Sequence, residues 1–414
     1  MRRLASVCAA IGVLATPAAA GVGGTIVTVA QVGHPRGLAA LRDGSFLVAE
    51  PYANLVQRVA RDGTVTTLAG TGAPGSSGDG GPATAAQLDF VHGVAAMPDG
   101  GFVLADTLND RIRRVLPDGT IETVARGVSA PRGVATFPDG RILVPDTGDN
   151  RVRLVGLDGT IRTVAGTGVA GFSGDGGPAV AAELSHPFGV APLPDGGFLV
   201  DDTGNSRIRR VWPDDRIATV AGNGVDGFAG DGGPAVDAEL SQAHDVVAAP
   251  GGFVIADTGN DRVRLVRADG TIVTIAGSGT AGFSGDGGPA IAAQLDQPKA
   301  VALTASGGVL IGDALNDRVR LVDARLLPPL TLRLATRSLR ARAAGLVRVR
   351  FTLSAAATVR TRLPRRSKTV AARAGAGSLT LRAPRRPGRY RLELVATAPS
   401  GRSARAVGSL TVAR

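Results

Sequence analysis

From Gly24 onward the chain alternates short apolar runs with turn residues, and the alternation repeats. One unit reads FVHGVAA from Phe90, the turn Pro98-Asp99-Gly100-Gly101 and the apolar run Phe102–Ala105. The hairpin segment DTLNDR, the run Ile112–Val115, the turn PDGT and the run Ile121–Ala125 complete it. Runs this short and β-branched, split by Asp-Gly and Asn-containing turns, predict strands joined by hairpins, so the unit is a four-stranded meander. Its opening segment occurs six times: HPRGLAA from His34, FVHGVAA from Phe90, APRGVAT from Ala130, HPFGVAP from His186, QAHDVVA from Gln242 and QPKAVAL from Gln297.

The equivalent positions Arg36, His92, Arg132, Phe188, His244 and Lys299 are spaced 56, 40, 56, 56 and 55 residues apart. A basal unit of about 40 residues is a usual length for a propeller blade. The sixth unit stops after Arg318–Val322, one strand short. The missing strand stands at the other end, where GTIVTVA (Gly24–Ala30) nearly duplicates GTIVTIA (Gly270–Ala276). Pairing that N-terminal strand onto the last unit closes a ring and removes the open sheet edge. The predicted fold is therefore all-β, a six-bladed β-propeller over residues 21–325 closed by an N-terminal strand. After Pro328-Pro329 the runs VRVRF (Val347–Phe351), TVRTRL (Thr358–Leu363), SLTLR (Ser378–Arg382) and RYRLELVA (Arg389–Ala396) alternate apolar and Arg positions. That is the period of half-buried strands, and residues 326–414 read as a small β-sandwich of immunoglobulin-like type.

The pattern PFGV…PDGGFLVDDTGNSRIR at Pro187–Arg209, and less fully at Pro131–Arg153, resembles NHL repeats, and PGRYRLELVATAPSGRSAR resembles the last strands of bacterial Ig-like modules. The NHL resemblance covers roughly Gly24–Arg325. It implies a disc with a central channel whose loop face binds something; relatives range from extracellular sensors to RNA binders and amidating lyases.

Four junctions carry a glycine-rich insertion: GSSGDGGPA from Gly75, GFSGDGGPA from Gly171, GFAGDGGPA from Gly227 and GFSGDGGPA from Gly282. The insertion resembles that of bacterial NHL proteins and of teneurin-like propellers. A rigid lid is expected, with Asp175 stapling a tight turn, Pro178 opening a short helix Ala179–Leu184, and Leu184 pinned on the blade below. Junctions 2/3 and 6/1 lack it, which predicts a trough across the disc with Arg36 and Arg132 at its two mouths. No Walker or EF-hand signature is present. The acids Asp106, Asp146, Asp202, Asp257 and Asp313 each precede an Arg by five residues, which reads as a blade staple repeated around the ring. Glu50 and Leu55 replace that pair in the first blade and imply a looser blade.

Composition changes the picture in two ways. Net charge is +11, yet residues 326–414 hold +19 and residues 1–325 hold −8. Residues 1–20 pair Met1-Arg2-Arg3 with an apolar run and Ala18-Ala19-Ala20, the pattern of a cleaved export signal. The sole cysteine, Cys8, lies within it. A secreted or envelope-associated bacterial protein is expected, without disulfides, cofactor or integral membrane anchor, and monomeric.

Arg36, His92, Arg132, Phe188, His244 and Lys299 come together around the predicted channel and form the candidate ligand site. Three cations and two imidazoles in a concavity favour an anionic ligand. The first reading is a binding or scaffold protein for an anionic ligand, glycan or protein on the loop-covered face. Arg348, Arg350, Arg360, Arg362, Arg365, Arg366, Arg385 and Arg386 would attract the C-terminal module to anionic envelope polymer. The second reading is a metal-dependent propeller lyase or lactonase. It needs a singular cluster at the channel, whereas the sequence offers only His92 and His244, three blades apart, and no acid peculiar to one unit. No catalytic or metal-ligating residue is assigned, and export and an acidic propeller disfavour nucleic acid.

Overall fold

The computed structural model describes residues 24–156, 158–323 and 332–335, together with the C-terminal strands 338–342, 346–353, 357–363, 366–372, 375–382, 388–397 and 403–413. The expected export signal at residues 1–20, the expected boundary at Pro328-Pro329 and Arg365, Arg385 and Arg386 lie outside these. Six four-stranded antiparallel sheets form the propeller. In blade 4 the order from channel to rim is Pro187–Pro192, Phe198–Asp202, Arg207–Val211 and Ile217–Ala221. Blade 6 takes Pro298–Leu303, Val309–Asp313 and Arg318–Val322 from the end of the ring and its outermost strand, Ile26–Gln31, from the beginning. Ile26 faces Val322 and Gln31 faces Arg318 across that seam. Ile26 is wholly buried among Val263, Ile275 and Leu295, so the closing strand carries core as well as ladder bonds.

The cores lie between neighbouring blades. Phe46, Phe102, Phe198 and Phe253 occupy one repeated position and are all buried. The insertions belong to these cores: Ala179, Ala182 and Leu184 pack with Val152 of blade 3 and Ile217 of blade 4. The helix expected at Ala179–Leu184 is a single 3-10 turn, Ala179–Ala181, after which Ala182 is extended. Gly174, with φ of +85°, lies so close to Ala182 that a Cβ would stand 2.7 Å from its Cα, which explains the glycine there.

The insertions do not roof the disc. Gly166 N donates to Ala179 O at the end of blade 3's outer strand, while Gly176 N donates to Ile217 O and Ala179 N to Asp215 O at the start of blade 4's. Each insertion is thus a clip between consecutive outer strands, and none of its residues lines the channel. The trough bounded by lids is not formed. Asp175 also departs from expectation: it accepts from Arg209 Nη2 at 2.7 Å and from Thr219 N at 3.0 Å, rather than closing its own turn.

The hairpin staple is shifted too. The acids pair with the arginine seven residues on: Asp146 with Arg153, Asp202 with Arg209, Asp257 with Arg264 and, more loosely, Asp106 with Arg113 and Asp313 with Arg320. That arginine lies two residues beyond the acid's ladder partner and so on the same face, while the register shift sits in the outer strand opposite it in blades 2 to 6. The arginine five residues on instead covers an exposed insertion ring, Arg207 over Phe172, Arg262 over Phe228 and Arg318 over Phe283. Blade 1 is no exception in its acid, because Glu50 accepts from Gly33 N at 2.7 Å as Asp202 accepts from Ser185 N.

In the C-terminal segment the strands form a three-stranded and a five-stranded sheet. Val349 and Phe351 of the first, and Val359, Leu392, Leu394 and Leu410 of the second, are buried, a sandwich-like arrangement. No helix among the described residues is long and apolar enough to cross a membrane.

Candidate functional site

Each inner strand is entered through a residue with left-handed φ: His34, Phe90, Ala130, His186, Gln242 and Gln297, at 42° to 56°. None is glycine, so the conformation is held from outside. In five of the six the hold comes from the preceding blade: Asn54 Oδ1 accepts from Phe90 N, Asp110 from Ala130 N, Asn150 from His186 N, Asp261 from Gln297 N and Asp317 from His34 N. Two residues later stand Arg36, His92, Arg132, Phe188, His244 and Lys299. The turn therefore aims a side chain of every blade at the channel mouth.

The mouth opens into a cavity of about 280 Å³ whose wall includes Arg36, His92, Arg132, Phe188, His244 and Asp245. Lys299 is outside that wall but meets it, with Nζ 3.5 Å from His244 Nε2. Among the described residues no carboxylate forms an ion pair with Arg36, Arg132 or Lys299. Burial pulls both guanidiniums below their ordinary range, and burial followed by the two arginines pulls Lys299 down to about 8. His92 is 3% exposed, its Nε2 has no hydrogen-bond partner, and burial with the surrounding cations keeps it neutral. His244 is lowered to about 3, by burial first and Lys299 second. Its Nδ1 lies 2.7 Å from the Gln242 carbonyl, which can only accept. Nδ1 is thus the protonated nitrogen, and Nε2 turns a lone pair toward Lys299.

Phe188 stands between the two imidazoles, with ring centroids 6.5 Å from His92 and 4.9 Å from His244. The arc continues through Phe90, Tyr52 and His34 at 6.3, 5.4 and 5.0 Å. Arg36 donates to Tyr52 Oη and lies over Phe90, and Arg132 lies over Phe188. Tyr52 and Phe90 are absent from the sequence-derived set; they occupy loops, where no strand period marks them.

Two acids peculiar to one blade also correct the sequence reading. Asp245 lines the cavity in a position that is Gly37, Gly93, Gly133, Gly189 or Ala300 elsewhere. It accepts from Val246 N and Val301 N, and burial raises it to about 7. Asp201 stands where the other blades have Ala49, Ala105, Pro145, Ala256 and Gly312. Both its oxygens are buried, and the Thr203 hydroxyl is the side-chain donor that favours its charged form. Burial, then the charge of Asp245, push it far above the carboxylate range. The break in the repeat at each position was the available signal.

A metal-dependent reading needs a donor cluster at the channel. Among the described residues no three His, Cys, Asp or Glu side chains converge closely enough to hold one. His92 and His244 have Phe188 between them, so the donor set does not fit a channel metal.

No family model matches the chain, and no curated protein matches it in sequence. Solved structures do match in fold. A protein of unknown function from Bacteroides thetaiotaomicron superposes with a TM-score of 0.56 at 15% identity, covering 72% of this chain and 75% of its own. An auxiliary nutrient binding protein from Bacteroides ovatus gives 0.54 at 14% identity, covering 72% and 76%. Virginiamycin B lyase from Staphylococcus aureus gives 0.47 at 14% identity, covering 70% and 97%. At these identities the likeness is one of fold: the chain is an all-β six-bladed propeller whose structural neighbours include lyases and binding proteins.

Proposed function

We propose that this is an exported NHL-type propeller that binds a small anionic ligand at the channel mouth, through Arg36, Arg132 and Lys299 with Phe188 as its apolar floor. The observation that carries the reading is three cations at or beside one cavity, none of them ion-paired to a carboxylate among the described residues, since the cavity's own acid, Asp245, is held by Val246 N and Val301 N. In a partly desolvated concavity an unpaired cation is costly, and a bound anion removes that cost. Phe188, Phe90 and Tyr52 add flat faces suited to a planar carboxylate or a sugar ring. The nutrient-binding neighbour accords with this reading. The Arg-rich C-terminal strands would keep the module near anionic envelope polymer, an attraction that salt screens within about 8 Å.

Calorimetric titration with oxalate, and with a neutral diol of similar size, tests it. Oxalate binding that weakens with salt and disappears in Arg36→Ala/Arg132→Ala is the expected result. Equal affinity for both compounds, or binding indifferent to the double substitution, would refute it. The metal-dependent lyase or lactonase reading has less to rest on, because no donor set among the described residues fits a channel metal.

A further inference from the structure

We propose that Lys299 captures a small α-oxo acid as an imine, with His244 orienting the amine and Arg36 and Arg132 holding the ligand's carboxylate. The inference rests on the anion-binding reading and names the ligand class within it.

The geometry has the parts of an activated nucleophile. Lys299 is one of two lysines in the chain, the other being Lys368. It is 8% exposed, and among the described residues no carboxylate forms an ion pair with it. Its polar neighbour is the His244 Nε2 lone pair at 3.5 Å, and that tautomer is locked by the Gln242 carbonyl on Nδ1 at 2.7 Å. An amine donating to that lone pair has its own lone pair free to turn elsewhere. Burial and two nearby guanidiniums favour the neutral amine, bringing an appreciable fraction of nucleophile to neutral pH. The same guanidiniums anchor a carboxylate, so one small molecule bearing a carboxylate beside a carbonyl satisfies both groups at once.

The step balances without a further reactant. The neutral amine attacks the carbonyl carbon, a C–N bond forms, and the carbonyl π electrons move to oxygen, which takes a proton. The carbinolamine then loses its hydroxyl as water, leaving a protonated C=N bond. Taken from the ammonium, one cation and one carbonyl give one iminium and one water, with charge and protons conserved. The positive iminium beside Arg36 and Arg132 is offset by the ligand's own carboxylate.

The probe is glyoxylate with cyanoborohydride, which supplies the hydride that converts the imine into a stable carboxymethyl amine. The full chain is treated, digested and mapped by mass spectrometry, and Lys368 serves as the internal control. Labelling of Lys299 at least about ten-fold above Lys368 is expected, because an anchored carboxylate raises the local carbonyl concentration. That excess should collapse to the Lys368 level in Arg36→Ala/Arg132→Ala and fall in His244→Phe, with far-ultraviolet circular dichroism unchanged. Equal labelling of the two lysines overturns the proposal. Oxalate binding that depends on Arg36 and Arg132, together with no preferential labelling, overturns imine capture and leaves the anion-binding reading standing. Absence of both overturns the two together.

Discussion

Arg209 has no solvent exposure, yet its Nη2 holds Asp175 Oδ1 at 2.7 Å across 34 residues of chain. The same guanidinium reaches Asp202 at 3.3 Å and the Ser173 carbonyl at 3.0 Å, so one buried cation ties hairpin, third strand and insertion together. Arg113, Arg264 and Arg320 do the same with Asp79, Asp231 and Asp286. Blade 3, whose preceding junction has no insertion, leaves Arg153 19% exposed, and blade 1 carries Gln57 at that position. The repeated GDGG thus exists to satisfy a buried arginine and fill the wedge between outer strands.

Removing either partner should therefore have unequal effects. Arg209→Ala strands the buried Asp202 and is expected to cost about 3–5 kcal/mol, whereas Asp175→Ala leaves Arg209 its other acceptors and should cost about 1–3 kcal/mol. Urea unfolding of the two variants checks the order. Equal losses would mean that the insertion contact dominates.

Ring closure yields a second prediction. Ile26 is fully buried in the seam between blades 5 and 6. Ile26→Ala should destabilise by about 2–5 kcal/mol through the cavity it leaves. Deleting residues 24–31 should expose the strand Arg318–Val322 as an open edge and drive association, visible by size-exclusion chromatography. A deletion that stays monomeric with an unchanged melting temperature would contradict the role of the seam.

Asp201 gives a third, with a defined pH sign. Its folded-state pKa lies well above its unfolded value, so the stability it contributes is greatest below about pH 4 and drains away as pH rises, since the folded state must either keep the proton or bury a charge. Asp245, raised to about 7, adds a loss over the window from about 4 to 7. Asp201→Ala, the residue of blades 1, 2 and 5, should stabilise by about 1–3 kcal/mol at pH 8 and by less at pH 5. Melting curves at the two pH values decide it; a larger gain at pH 5 would reverse the sign.

The architecture was legible because every blade repeats it: six copies of the inner-strand segment, with GTIVTVA matching GTIVTIA, set the count and the closure. The channel position of Arg36, His92, Arg132, Phe188 and His244 followed from the same register, with Lys299 against His244 outside the cavity wall. What the repeat hid was partner choice. Asp202 faces Arg207 along the ladder, yet Arg209, two residues on and on the same face, takes the ion pair while Arg207 covers Phe172, and spacing alone does not choose between two arginines on one face. The insertion was misplaced for a related reason, since glycines report permitted backbone angles and not the direction in which the loop travels. Asp201 and Asp245 were readable as departures from the repeat, but attention to what recurs passes over what occurs once.

The channel mouth carries the last prediction. Arg36 and Arg132 enter it from opposite sides of blade 2, stacked on Phe90 and Phe188 and without a carboxylate. If both grip one anion, their removal is not additive: either single substitution to alanine should lose most of the affinity, and the second should add little. Each direct charge-assisted contact is worth about 1.5–3 kcal/mol, so a loss of about ten- to a hundred-fold is expected per single variant. Raising ionic strength should weaken the wild type more than either variant, because fewer charges remain to be screened. Phe188→Leu, which keeps the apolar volume but removes the stacked ring, should weaken binding mildly without altering the salt dependence. Titration of oxalate at two salt concentrations across these variants measures all three effects. Strictly additive losses would place the two guanidiniums on separate ligands and dissolve the shared site.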